Sequence, residues 1–291
     1  MKLKYTTKLF IIVNAIAVAL RTAQIFLLTE DKTGFLKPGL SVINIIIAVF
    51  TVLCIAAMFS NSSQAVRQPE KLNCCGLPSA IAAGMTALCY LGSGIAAVVA
   101  KSVGWKIVLL MSVLAAVMCI WLMLAALKVV EIKKGIMLLP LPYWLVVFVL
   151  SYLFYTERSL RVRTVYETFA VSFFILFTVV LGKAVSGVNP EKNFRRIYPL
   201  GLTACTLCIV SVLPELIATL SGFAEKVSDS PVMPLTLVAG AVFSGFFTIN
   251  TFKKSNTVHP RKKKKTEQEA RLRHEAAEPV SDSAEPDNTD I

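Results

Sequence analysis

A bundle of about eight transmembrane α-helices is the fold class this sequence predicts, and three observations predict it. Apolar residues make up 55% of the 291-residue chain and charged residues 16%, whereas soluble domains carry about 45–50% and about 25%. The mean hydropathy is +0.67. The apolar excess is gathered into uninterrupted runs, each near the ~20 residues that cross the hydrocarbon core as a helix. That distribution excludes a single soluble domain, a disordered chain and a disulfide scaffold.

The runs cover approximately 9–28, 41–60, 78–100, 105–130, 137–155, 165–187, 198–221 and 231–252. They are too long and too continuously apolar for barrel strands, so helices are the spanning structure. The first follows a basic start and contains Ala17-Val18-Ala19, which resembles a signal peptide. Apolar character resumes after Arg21 and runs to Leu28, which favours a retained span. The third is rich in small residues at four-residue spacing, Ala80 with Gly84, Ala83 with Ala87 and Gly92 with Ala96, which suits a tightly packed helix. Short loops hold most of the proline, asparagine and charge, as in Asn189-Pro190-Glu191-Lys192. The transmembrane domain is thus expected over 1–252, with spans one, three and seven near its centre, and a tail over 253–291.

Lysine and arginine balance sets the orientation. With the N-terminus inside, that side gathers Lys2, Lys4, Lys8, Arg67, Lys71, Lys128, Lys133, Lys134, Lys183, Lys192, Arg195 and Arg196. The other side holds Lys32, Lys37, Lys101, Lys106, Arg158, Arg161, Arg163 and Lys226. An even number of spans returns the tail to the inner side, so both termini are predicted cytoplasmic. The net charge of +12 is spread over loops and tail. It implies anionic lipid as a partner rather than nucleic acid. Short loops suit a bacterial plasma membrane.

Ionisable residues inside spans are the functional clue, since each costs about 2.5–3.5 kcal/mol at a helix centre. Arg21 in span one and Glu215 in span seven fall at comparable depth, in the predicted outer half, as expected of a buried pair. Asn14, Ala17, Arg21 and Gln24 share one face of span one. Gly201, Ala204, Cys208, Ser211, Glu215, Ala218 and Gly222 form a small or polar stripe on span seven. The two stripes are expected to face the interior and each other. Pro214 cannot donate to the Val210 carbonyl, so a kink is expected beside Glu215. Broken helices next to an ionisable group recur at transporter sites.

Glu157, Arg158, Arg161, Arg163 and Glu167 cluster between spans five and six. Three arginines on the predicted outer side oppose the charge bias. They are expected to be outer-face contacts to an anionic solute or headgroup, together with Glu167, joining an outward-facing site with Arg21 and Glu215; snorkelling to lipid phosphates is the plainer use.

Catalysis is not expected. His259 and His274 are the only histidines and both lie in the tail, so no span supplies an imidazole for haem, zinc or a serine dyad. There is no Walker A sequence or HExxH, and no aspartate within a span. Ser93, between Gly92 and Gly94, has no base nearby. Seven cysteines, mostly inside spans, do not describe a disulfide framework. Cys205 and Cys208 form a CxxC within span seven, which reads as buried small residues rather than a metal or redox site. No cofactor is implied.

The tail begins basic, with Lys253, Lys254, Arg261 and the run from Lys262 to Lys265, and then turns acidic. Glu267 with Arg271 and Glu269 with Arg273 would support a helical turn or two. Beyond Ala277 the composition is that of a disordered segment. Anchoring to anionic lipid is its expected role, with docking of a cytosolic partner the alternative. The function class expected is a small-solute or lipid-headgroup transporter using Arg21, Glu215, Asn14, Gln24 and Ser211. The alternative is a sensor or assembly subunit in which the charged pair only fixes packing.

Overall fold

The computed structural model describes residues 2–29, 37, 41–65, 76–102, 104–129, 141–143, 145–146, 149–150, 162–222 and 232–255. The chain divides into a unit Met1–Phe252 and a second unit Lys253–Ile291, nearly all of which lies outside the described residues. Among the described residues, seven helices are long and apolar enough to cross a membrane. The chain is an α-helical multi-pass membrane protein.

These helices are α1 (Lys2–Ala23), α2 (Ser41–Ala65), α3 (Leu77–Val99), α4 (Trp105–Ala126), α5 (Val162–Val185), α6 (Pro190–Leu220) and α7 (Val232–Ser255). They match seven of the eight predicted spans. The span expected over 137–155 falls mostly outside the described residues. Its described pieces are helical, with Leu141 and Leu145 fully buried.

The turns at α3, α4 and between α5 and α6 are bounded by recognisable chemistry. Pro78 sits in the first turn of α3, where its missing N–H costs nothing. The α3–α4 turn passes through Gly104 at φ +73°, a left-handed conformation that glycine adopts freely. At the other end of this hairpin the Gly76 amide donates to the Ala126 carbonyl at 3.0 Å. Between the ends, the Gly94 backbone lies so close to α4 that a methyl group there would meet Ser112 Cβ at 3.0 Å. Ser93 and Ser112 hydroxyls approach to 3.4 Å across the same crossing. The α5–α6 turn uses Asn189 at φ +42°, and the Asn193 amide nitrogen donates back to the Val188 carbonyl at 2.6 Å.

Enclosure separates central from peripheral helices. Of α6's membrane-crossing stretch, 72% is buried inside the protein, against 61% for α7, 44% for α3 and α5, 33% for α1 and 11% for α2. Span seven is therefore central, as its stripe predicts. Among the described helices the second most enclosed is α7, not α1. The reason is close approach: Gly240 and Gly245 of α7 lie against the sulfurs of Cys208 and Cys205, leaving almost no gap between α7 and α6. Aromatic rings extend this core, with Phe174, Phe177, Phe243 and Phe247 in mutual contact at centroid distances of 5.5–6.4 Å. α2 presents Val42, Ile46, Val49 and Leu53 outward, as a lipid-facing helix does.

α1 ends in a wider turn. From Gln24 to Leu28 the backbone follows a π-helical path before Thr29 turns extended. The Thr29 hydroxyl donates to the Gln24 carbonyl at 3.0 Å at the end of this path. Such insertions are frequent at functional sites, and this one begins three residues after Arg21.

Candidate functional site

Two contacts fix how α5, α6 and α7 align. Gly201 of α6 lies against Phe177 and Thr248, and Gly240 of α7 lies against Cys208 and Phe174. Moving two turns, about 10 Å, from the Cys208–Phe174 level toward the end of α6 reaches Glu215 on one helix and Glu167 on the other. Cys208, Ser211 and Glu215 share a face of α6, as Phe174, Ala170 and Glu167 share a face of α5. Cys208 and Phe174 both lie against Gly240 of α7, so these faces turn toward α7 at that level. Glu167 is completely buried and Glu215 is 5% exposed.

α1 enters this level from the side. The Asn14 amide nitrogen donates to Phe10 carbonyl at 2.8 Å and to Thr206 Oγ1 of α6 at 3.3 Å. Two turns further along α1, Arg21 reaches the level of Pro214 and Glu215. Its guanidinium stacks over the Tyr166 ring of α5 at 4.4 Å and donates through Nη1 to Gln24 Oε1 at 2.5 Å. The Gln24 side-chain nitrogen in turn donates to Asn44 Oδ1 of α2. Arg21 is 5% exposed and Gln24 is buried. A guanidinium over an aromatic face is worth about 0.5–2 kcal/mol, more as it is desolvated. Arg21, Glu167 and Glu215 each interact with neighbours in the protein.

Contacts thus join Arg21, Gln24, Asn44 and Tyr166, and helix register sets the buried Glu167 and Glu215 at a comparable depth. Ser211 lies one turn beneath Glu215, fully enclosed, and its hydroxyl has no hydrogen-bond partner among the described residues. Oδ1 of Asn14 is likewise buried without one. Pro214 interrupts the α6 hydrogen bonding between these residues and Glu215, leaving the Val210 carbonyl without its usual donor.

The residues singled out from sequence divide accordingly. Arg21 and Gln24 come together, and helix register sets Glu215 at a comparable depth. Asn14 lies about 10 Å from Arg21 along α1. The two stripes do not meet face to face as expected: the α6 stripe is turned to α5 and α7, while Asn14 meets α6 through Thr206, on its other side. No residue of α6 from 197 to 212 is exposed, so every face of it has a neighbour. Small residues there mark the closest backbone approach rather than the side from which the arginine comes. Glu167, expected among the outer-face contacts, is completely buried on α5, which begins at Val162. Arg158 and Arg161 lie outside the described residues; Arg163 falls in the first turn of α5, its side chain outside them.

Tyr166 and Asn44 were not singled out. Asn44 had a signal, a lone amide in the run Val42-Ile43-Asn44-Ile45-Ile46. Tyr166 had only its adjacency to Glu167. Among the described residues no group of histidine, cysteine or carboxylate side chains could hold a metal ion. Cys54, Cys89, Cys119, Cys205 and Cys208 are free thiols, and Cys205 Sγ points to the Ala241 carbonyl at 3.4 Å.

No protein-family model, curated protein or solved structure matches this chain.

Proposed function

We propose that this protein is a transporter that moves a small charged solute or a lipid headgroup, with the Arg21–Glu215 layer as its binding site. The observation that carries the reading is Arg21: a guanidinium 5% exposed inside an apolar bundle that also buries two carboxylates. A bundle needing only packing would use apolar side chains there, because each buried charge costs about 2.5–3.5 kcal/mol. In this reading Arg21 contacts an anionic group of the solute and Glu215 a cationic group or proton. Gln24 and Ser211 line the site, and Asn14 the path beyond it. Pro214 gives α6 a joint beside Glu215. The protein is not an enzyme in this reading.

A second reading is favoured by the Arg21–Gln24–Asn44 chain of hydrogen bonds, which already engages three helical side chains without any solute. There the protein is a sensor or assembly subunit and the charged layer fixes helix register.

Thermal unfolding of the protein in lipid nanodiscs, wild type beside Glu215→Gln, against ions, small solutes and lipids separates the two. A ligand at 100 times its dissociation constant adds about 2.7 kcal/mol. The transport reading expects a solute that stabilises the wild type and not the variant. Early melting of Glu215→Gln, with no ligand response in either form, supports the structural reading. Breaking a buried ion pair typically costs about 3–5 kcal/mol.

Orientation and surroundings follow the charge balance. Both termini are cytoplasmic and the site opens toward the outer side of a cell membrane, bacterial in the simplest case. The basic stretch after α7 binds anionic lipid at about 1 kcal/mol per lysine or arginine. The acidic end of the tail is free for a cytosolic partner.

A further inference from the structure

We propose that a phospholipid reaches the Arg21 site sideways, its anionic headgroup entering between α1 and α2 along the amides of Asn44 and Gln24. The inference rests on the transport reading and deepens it by naming a lipid headgroup, rather than a dissolved solute, as what the site takes.

Three observations carry it. The first is where the polar side chains lead. Arg21 donates to Gln24 Oε1 and Gln24 donates to Asn44 Oδ1, so contacts run unbroken from a buried guanidinium on α1 to a half-buried amide on α2. Asn44 stands among Val42, Ile43, Ile45 and Ile46, all exposed. Among the described membrane-crossing helices α2 is the least enclosed, 11% buried. The amides therefore lead from Arg21 to the lipid-facing side of the bundle.

The second is depth. The membrane-crossing stretch of α1 ends at Leu28 and that of α2 starts at Val42, and the Gln24–Asn44 contact sets these two ends side by side. Measured inward from them along the helices, Asn44 is about 3 Å deep, Gln24 about 6 Å and Arg21 about 10 Å. Phosphate groups occupy the interface just outside the hydrocarbon core. Asn44 is thus the first of the three that a headgroup meets, and each next step lies deeper.

The third is chemistry. A guanidinium carries five N–H donors in one plane, and two of them side by side match a phosphate. Tyr166 holds Arg21 through its ring at 4.4 Å, a contact that uses the charge and not an N–H donor. Gln24 and Asn44 are neutral, so neither forms an ion pair that an arriving phosphate must break. A helix that only faced lipid would carry an apolar residue at position 44, because an amide there needs a partner. The acyl chains stay in the bilayer, and only the headgroup crosses the α1–α2 seam.

Native mass spectrometry of the full-length protein, delipidated in detergent and titrated with phosphatidylglycerol, tests this. Arg21→Gln should weaken the tightest bound lipid about tenfold, as expected for a lost hydrogen bond to a charged group, and Asn44→Leu about threefold. Lys101→Gln, which removes an exposed lysine from the α3–α4 turn, should leave it unchanged. Asn44→Leu lies on the least enclosed helix, so it reads the proposal even where Arg21→Gln does not fold. Glycerol 3-phosphate, which has the phosphate without the acyl chains, should not displace the lipid. Displacement by it, or equal retention in the wild type and Asn44→Leu, overturns the sideways route. Absence of a retained lipid in the wild type, or unchanged retention in Arg21→Gln, overturns the site. Liposomes carrying fluorescent phosphatidylglycerol then show whether it crosses the bilayer. Retention without crossing leaves the lipid site standing and removes the transport reading; movement of a dissolved solute without lipid retention does the reverse.

Discussion

At the scale of single residues, the polar layer rests on side chains whose neighbours define their value. Tyr166 holds Arg21 through its ring rather than its hydroxyl. Tyr166→Phe should therefore leave stability within about 0.5 kcal/mol, while Tyr166→Leu should lose about 0.5–2 kcal/mol, read as denaturant midpoints in nanodiscs. Equal losses in the two variants would show that the hydroxyl carries the contact. Gly201 makes the opposite demand, for space. A methyl group there would overlap Thr248 Oγ1 and come within 2.9 Å of the Phe177 ring. Gly201→Ala should destabilise by about 1–3 kcal/mol, whereas Gly187→Ala, where nothing lies near, meets only the backbone strain of its φ of +77°. Arg21 and Glu215 were legible in the sequence because charge inside an apolar run has no cheap explanation. Tyr166 was not, since an aromatic residue near a helix end is ordinary in a membrane protein. Only the tertiary contact distinguishes it.

At the scale of elements, α6 does most to place the site. It is 31 residues long, about 46 Å, and so exceeds the ~30 Å hydrocarbon core. It carries Pro199 and Pro214 in its interior. Pro214 lies beside Glu215, so Pro214→Ala should restore the bond to the Val210 carbonyl and stiffen the helix. The expected outcome is a higher melting temperature, by up to about 3 kcal/mol of stability, together with a weaker response to any stabilising solute. A stiffer helix with an undiminished response would show that the joint is not used. Helix positions were readable from apolar runs: seven of the expected spans are found, though α1 and α6 begin seven and eight residues earlier than expected. Helix neighbours were less so. The α6 stripe announced close packing, but Gly240 and Gly245, the residues that decide which helix packs there, lie on α7 and were not matched to it. A stripe specifies how near a neighbour comes, and says little about which neighbour it is.

For the whole molecule, the question is which way it sits in the bilayer. The charge balance expects the tail on the cytoplasmic side, where its arginines and lysines are hidden from protease outside. Trypsin added to intact cells should leave the tail attached, while inside-out vesicles should lose it. Cleavage from outside would invert the assignment and turn the Arg21–Glu215 layer toward the cytoplasm. Among the described helices the enclosure of α7 is second only to that of α6, and α1 and α2 are the least enclosed. Composition gave the class of molecule; the depth of each helix came from glycine and aromatic contacts between segments distant in sequence.

That arrangement bears on how the chain is made. Arg21 enters the bilayer early in synthesis, whereas Tyr166 and Glu215 leave the ribosome later, by about ten seconds at the fastest usual elongation rate for Glu215. During that interval the partners already present are Gln24, on the same helix, and Asn44, on the next one. The two amides thus hold a guanidinium in a nascent helical pair until its permanent company arrives. Their contribution would be seen in the yield of inserted protein more than in the melting of the finished one.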